Sequence, residues 1–185
     1  MQYSQLPHLD IRGHYQFITF RTHESVDAFL QKLQNQNQSN SKNQLAIDQY
    51  LDESPKGGYL KGEVLTLLTQ FLKEKDKVLY ELVAFSIMPN HVHLLIMPLD
   101  KLPIVVQKIK GGSAKIINEC MGRKGKFWAN GYYDRLIRNE RHFSVVYQYI
   151  ENNPLKLNEA KASLSRFYGL YGSRASSLQK QETRL

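Results

Sequence analysis

Two apolar runs separated by a two-residue break constrain this chain more than any other feature. Tyr80 to Met88 reads YELVAFSIM, and His91 to Met97 reads HVHLLIM. The first is apolar almost throughout, which predicts a strand buried on both faces or nearly so. Pro89 and Asn90 leave room only for a tight turn, so the two strands are predicted to pair as an antiparallel hairpin. A lone hairpin is marginal in water, so the rest of the chain must extend the sheet and cover it.

The flanking pattern supplies both parts. His14 to Thr22 (HYQFITFRT) is dominated by aromatic and β-branched residues and predicts a strand. Val26, Phe29, Leu30 and Leu33 recur at helical spacing, and Gln31 to Gln44 then turns polar and low in complexity. That stretch reads as a helix end running into a mobile loop, with a short helix at Leu45 to Leu51; residues 31–50 together look like a polar insertion. Val64, Leu67, Leu68, Phe71 and Leu72 mark an amphipathic helix. Another spans Pro103 to about Met121, with Gly111–Gly112 as a weak point. Tyr132 to Arg138 predicts a strand, and a last helix runs from about Glu140 to Asn153, where Pro154 stops it. The order suits an α+β fold: an antiparallel sheet with helices packed on one face, ferredoxin-like or RRM-like. We expect one catalytic domain over residues 1–158 and a basic, loosely ordered tail over 159–185.

Composition excludes several classes. With 42% hydrophobic and 23% charged residues the chain is not mainly disordered. It has no apolar run near the ~18 residues that span a bilayer, and its start (MQYSQLPHLD) is no secretory signal. A cytoplasmic protein with no membrane partner is expected. The single cysteine, Cys120, excludes an internal disulfide and suits a reducing compartment. Residues 1–100 hold 9 Lys/Arg against 11 Asp/Glu, a net of −2; residues 101–185 hold 16 against 6, a net of +10. The overall +8 therefore resides in the second half, which suggests a polyanionic partner. A basic surface with no partner is the bland alternative.

Residues two apart on a strand face the same side, so His91 and His93 point one way and Val92, Leu94 and Ile96 the other. Two imidazoles ~7 Å apart along a strand can converge on one divalent ion. Two ordinary semi-buried histidines would leave the same trace. On the last helix, Phe143, Val146, Tyr147 and Ile150 fall within about 100° of arc and form the core stripe. Tyr149 lies off it, on the side of His142 and Asn153, and Tyr149 and Asn153 are neighbours at i and i+4. A half-exposed tyrosine and a helix-ending asparagine would also fit.

These stretches resemble a known family. MPNHVHLLIMP (Met88 to Pro98) is similar to the HUH motif of single-tyrosine transposases, two histidines flanking a bulky apolar residue. GKFWANGYYDRLIRNERHFSVVYQYIENNP (Gly125 to Pro154) resembles the second half of the same proteins, and HYQFITFRT their opening strand. The nearest resemblance is to the REP-associated tyrosine transposases, relatives of the smallest insertion-sequence transposases, and it covers most of residues 7–158. Residues 31–50 are longer and richer in Gln and Asn than that group's pattern, and the segment after Asn158 lacks its Trp-containing ending.

The resemblance implies an HUH endonuclease fold and a metal-dependent strand transferase acting on single-stranded, hairpin-containing DNA, in this group repetitive extragenic palindromes. It implies Tyr149 as the nucleophile that forms a 5′-phosphotyrosine, and His91, His93 and the amide oxygen of Asn153 as ligands of a divalent ion, Mg²⁺ or Mn²⁺. Relatives act as monomers or homodimers. Basic residues beside rings suit a single strand, so Lys124, Lys126, Phe127, Trp128, Arg135 and Arg138 are candidate DNA contacts, with Lys110, Lys108 and Lys115 on the preceding helix. Trp128 packed in the core is the competing reading. Two other functions stay open: a catalytically idle nucleic-acid-binding module, and a metal-dependent phosphodiesterase that uses water.

Overall fold

The computed structural model describes residues 13–25, 40–157 and 165–170. The helix expected from Val26 to Leu33, residues 31–39 of the polar stretch, and most of the tail lie outside them. The strands are β1 (Gln16–Arg21), β2 (Tyr80–Ile87), β3 (His91–Pro98), β4 (Tyr133–Leu136) and β5 (Phe167–Gly169). The helices are α1 (Asn40–Glu53), α2 (Gly62–Glu74), α3 (Leu102–Cys120) and α4 (Glu140–Asn152). One five-stranded sheet runs β4-β1-β3-β2-β5, and every pairing is antiparallel. The predicted hairpin is its centre, closed by the Met88 N–H to His91 carbonyl bond of 2.9 Å. Among the described residues no helix is long and apolar enough to cross a membrane.

The α+β antiparallel class is as expected, but the helices cover both faces instead of one. Ile18, Phe20, Leu82, Phe85, Ile87, Val92, Leu94 and Ile96 face one way and pack with Val64, Leu68 and Leu72 of α2 and Val105 and Ile109 of α3. Phe17, Val83, Ala84 and Leu95 face the other way, under Phe143, Val146, Tyr147 and Ile150 of α4. The physical reason is that the central strands are apolar on both sides and both sides need cover. A β-bulge between Leu82 and Ala84 shifts the alternation along β2.

Three further expectations change. Residues 40–44, read as loop, are the first turns of α1. Gly111–Gly112 lies within an unbroken α3, and a Cβ on Gly112 would stand 2.8 Å from Phe71 Cζ; the glycine lets α2 and α3 approach. The tail is not merely loose: Phe167–Gly169 adds the edge strand β5 beside β2. Arg166 before it is buried and donates to the carbonyls of Leu60 and Ile87, both at 2.9 Å.

Candidate active site

The antiparallel register lines up one polar row across the α4-side face. Thr19 stands opposite both His93 and Tyr133, and Arg21 opposite His91. His91 and His93 are fully buried, with ring centroids 4.8 Å apart. Each is anchored through Nδ1: His91 to Asn90 Oδ1 at 2.7 Å, His93 to Thr19 Oγ1 at 2.8 Å. The Asn90 amide has no freedom to turn over. Its Nδ2 donates to the carbonyls of Leu51, Ser54 and Lys56 at 3.0, 3.0 and 3.2 Å, so its oxygen must face His91. His91 therefore carries its proton on Nδ1 and presents a bare lone pair at Nε2. Neither Nε2 has a hydrogen-bond partner. Loss of the Asn90 amide would strand several buried groups, at about 1–3 kcal/mol each.

Burial, then the nearby positive charge of Lys156 and Arg21, lowers the His91 pKa to about 3. Burial and His91 push His93 well down as well. Both rings stay neutral, the form that ligates metals. In the unfolded chain each imidazole takes a proton near its ordinary value of 6.5, while in the fold it resists one. Stability is thus complete above about pH 6.5 and is lost as the pH falls toward 3. For His91 alone the loss at pH 5 is about 2 kcal/mol. Urea melts of chelator-treated protein between pH 7.5 and 5 should show it, and His91→Gln should flatten the dependence.

Asn139 caps α4, its side chain accepting from the His142 backbone N–H at 2.9 Å. The buried residues of α4 are the predicted stripe, Phe143, Val146, Tyr147 and Ile150. Tyr147 packs edge-on against Phe167, and its hydroxyl end lies against Gly169 with no space for a Cβ there. Tyr149 is half-buried and turns toward the histidines: its ring lies 5.3 Å from His93 and 5.8 Å from Phe17, edge-to-face with both. Its hydroxyl donates to Asp48 Oδ2 at 2.8 Å. Asn153, the first residue after α4, is fully buried, and its amide oxygen has no hydrogen-bond partner. The phenol pKa is raised far above its usual value, first by burial, then by the charge and hydrogen bond of Asp48 and the charge of Asp52. The Asn153 amide acts the other way.

Sequence reasoning missed four charged neighbours. Asp48 and Asp52 come from α1, one turn apart on the same helical face; Asp48 lies inside the stretch read as an insertion and Asp52 just past it. Asp52 Oδ2 accepts from Lys156 Nζ at 2.6 Å, and Lys156 also stands 5.5 Å over the Tyr149 ring. Asp52 Oδ1 lies 3.6 Å from His91 Nε2 and has no hydrogen-bond partner. Arg21, half-buried, has its pKa lowered by burial, with Asp48 opposing. One signal was present for Arg21: Phe17, Thr19 and Arg21 alternate with Ile18 and Phe20, which marks a polar strand face. For Asp48 and Asp52 the i, i+4 spacing is the one local signal the sequence carries.

The expected DNA contacts divide. Lys124, Lys126, Arg135 and Arg138 are exposed. Arg135 pairs with Phe17 in register, which puts it on the histidine face beside the polar row. Lys110 is occupied elsewhere, donating to the carbonyls of Ala129 and Gly131 at 2.8 and 2.6 Å and so tying down the basic loop. Phe127 and Trp128 are buried against Phe20 and each other, and Trp128 Nε1 donates to Ser113 Oγ at 3.0 Å. They are core residues, not a platform for bases, because a loop this rich in glycine and lysine has nothing else apolar to pin it.

Residues 56–153 match the family described as IS200-like transposases, more than half of the chain. An uncharacterised Haemophilus influenzae protein is 29% identical over 94 residues, 38% of this chain and 52% of its own length, so the match spans about half of that relative. A REP-associated tyrosine transposase bound to a REP hairpin superimposes with a TM-score of 0.48 at 19% identity, covering 83% of this chain and 74% of that one. A Deinococcus radiodurans crystal structure described as a candidate transposase gives 0.45 at 20% identity, covering 83% and 98%.

Proposed function

Because this chain belongs to the IS200-like transposase family, we propose that it cleaves and rejoins single-stranded, hairpin-containing DNA through Tyr149. The observation that carries the reading is a cluster of unpaired groups around that hydroxyl. His91 Nε2, His93 Nε2 and the Asn153 amide oxygen are buried with no hydrogen-bond partner, which is costly unless something fills the space.

The cluster fits a divalent cation, Mg²⁺ or Mn²⁺. Both imidazoles are neutral, each is held through its other nitrogen, and Asn153 adds an oxygen donor. Among the described residues no three His, Cys, Asp or Glu side chains are already gathered closely enough to hold a metal, so the Asn153 oxygen belongs to the donor set. When bound, such an ion supplies charge neutralisation and orientation for a phosphate oxygen.

The rest of the chemistry belongs to the chain. The phenolic oxygen of Tyr149 attacks phosphorus, the bond to the 3′ oxygen breaks, and a 5′-phosphotyrosine and a free 3′-hydroxyl result. The phenolic proton passes to Asp48 Oδ2, the acceptor it already bonds, and the departing 3′ oxygen takes a proton from solvent. Rejoining reverses these steps and needs no ATP, because the phosphodiester energy is kept in the tyrosine link. Incubation of labelled hairpin DNA with protein and Mn²⁺, followed by a denaturing gel, tests this. A covalent shifted band is expected. Binding without cleavage would favour an idle module, and cleavage with no covalent band would favour attack by water.

Arg135, exposed on the histidine face, and Arg138, exposed beside His142 at the start of α4, suit phosphate contacts. Glu substitution at Arg135 or Arg138 should weaken hairpin binding several-fold and flatten its salt dependence. The same reversal at Lys73 or Lys75 should do little. Those lysines stand over the Tyr168 and Phe71 rings at 4.3 and 5.2 Å, at the end of α2 on the opposite side of the sheet. Equal effects in a salt titration would show that the footprint is misplaced.

A further inference from the structure

We propose that Asp52 is an anionic ligand of the cation at His91 and His93, delivered by a helix outside the family-matched span. This rests on the metal site proposed above. Asp52 Oδ1 and His91 Nε2 face each other at 3.6 Å. The Asn90 network puts the His91 proton on Nδ1, so the facing atoms are a carboxylate oxygen and a bare nitrogen lone pair. Two acceptors so placed repel, and each is otherwise unpartnered. A cation between them turns the repulsion into two bonds. Ligand atoms at ~2.0–2.2 Å from one ion stand roughly 3.0–3.5 Å apart, so Asp52 and His91 already stand near the separation of two ligands of one ion.

The other carboxylate oxygen is already anchored by Lys156 at 2.6 Å, as metal-ligating carboxylates commonly are by a second partner. The α1 backbone is fixed to the histidine strand by the same Asn90 amide, which grips the Leu51 and Ser54 carbonyls on either side of Asp52 and Glu53. The residue that sets the His91 tautomer thus also positions Asp52. The family match begins at residue 56, so this ligand belongs to the segment of the chain preceding the matched span. A carboxylate beside two imidazoles and an amide oxygen makes the donor set harder and anionic, which favours Mn²⁺ and Mg²⁺ over softer ions.

Mn²⁺ binding to the full chain without DNA, measured by titration calorimetry and by loss of the free-ion EPR signal, tests the assignment. His93→Ala should abolish saturable binding. Asp52→Asn should weaken it roughly 10-fold or more, and Glu53→Gln, an exposed neighbour with the same change of charge, should stay within about twofold of the wild type. Asp52→Ala tests the same contact if the Asn variant does not fold. Wild-type affinity in a folded Asp52 variant, or equal weakening by Glu53→Gln, overturns the role of Asp52 and leaves the histidine site standing. Absence of saturable binding to the wild type overturns both.

Discussion

Tyr149→Phe is expected to eliminate the covalent DNA adduct while leaving hairpin binding and folding near wild type. The change removes one oxygen, and the ring keeps its edge contacts with His93 and Phe17. The lost bond to Asp48 is half-buried, so the stability cost is about 1 kcal/mol, a shift of a few degrees in a thermal melt. The other tyrosine of this helix cannot replace it: Tyr147 lies ~200° around the helix and packs against Phe167 and Gly169 at the β5 edge. Tyr147→Phe should accordingly keep most adduct formation. The pair is decisive because both are single-atom deletions on one helix. An adduct that survives in Tyr149→Phe and vanishes in Tyr147→Phe would reverse the assignment. If neither change matters, covalent tyrosine chemistry gives way to hydrolysis by water.

Chelation should be nearly as drastic and more selective. Stripping divalent ions is expected to abolish cleavage, while hairpin binding largely persists because phosphate contacts supply most of that affinity. His91→Ala and His93→Ala should reproduce the loss, and added Mn²⁺ should not restore it. Thermal melts give a readout independent of activity. An ion that binds only the folded state raises the melting temperature, by ~2.7 kcal/mol equivalent at one hundred times its dissociation constant. Wild type should show that rise with Mn²⁺, and the His→Ala variants should not. Cleavage at full rate in excess chelator would end the metal reading.

Much of the site was legible because its main residues sit on regular elements. The period of a strand puts His91 and His93 on one face, and the period of a helix separates Tyr149 from the Phe143–Ile150 stripe. The structure agrees on both points. Residue type alone left a role open where a side chain's neighbours come from distant segments. Lys110, a cation in a basic half, is spent on two loop carbonyls. Trp128 is a ring in a basic loop, yet its indole fills the core and bonds Ser113.

Asp48 and Asp52 show where the division lies. Local periodicity and turn chemistry, which depend only on neighbouring residues, determined the hairpin, the antiparallel α+β class and the faces of β3 and α4. Only the tertiary structure decided that helices cover both sides of the sheet, since an apolar strand records that it is buried and not by what. It alone also decided that a Gln- and Asn-rich stretch would lay α1 over the histidines. Asp48 and Tyr149 are 101 residues apart, and Asp52 and Lys156 are 104 apart. No short-range pattern couples positions so distant; they meet because β3, α4 and α1 share one sheet face.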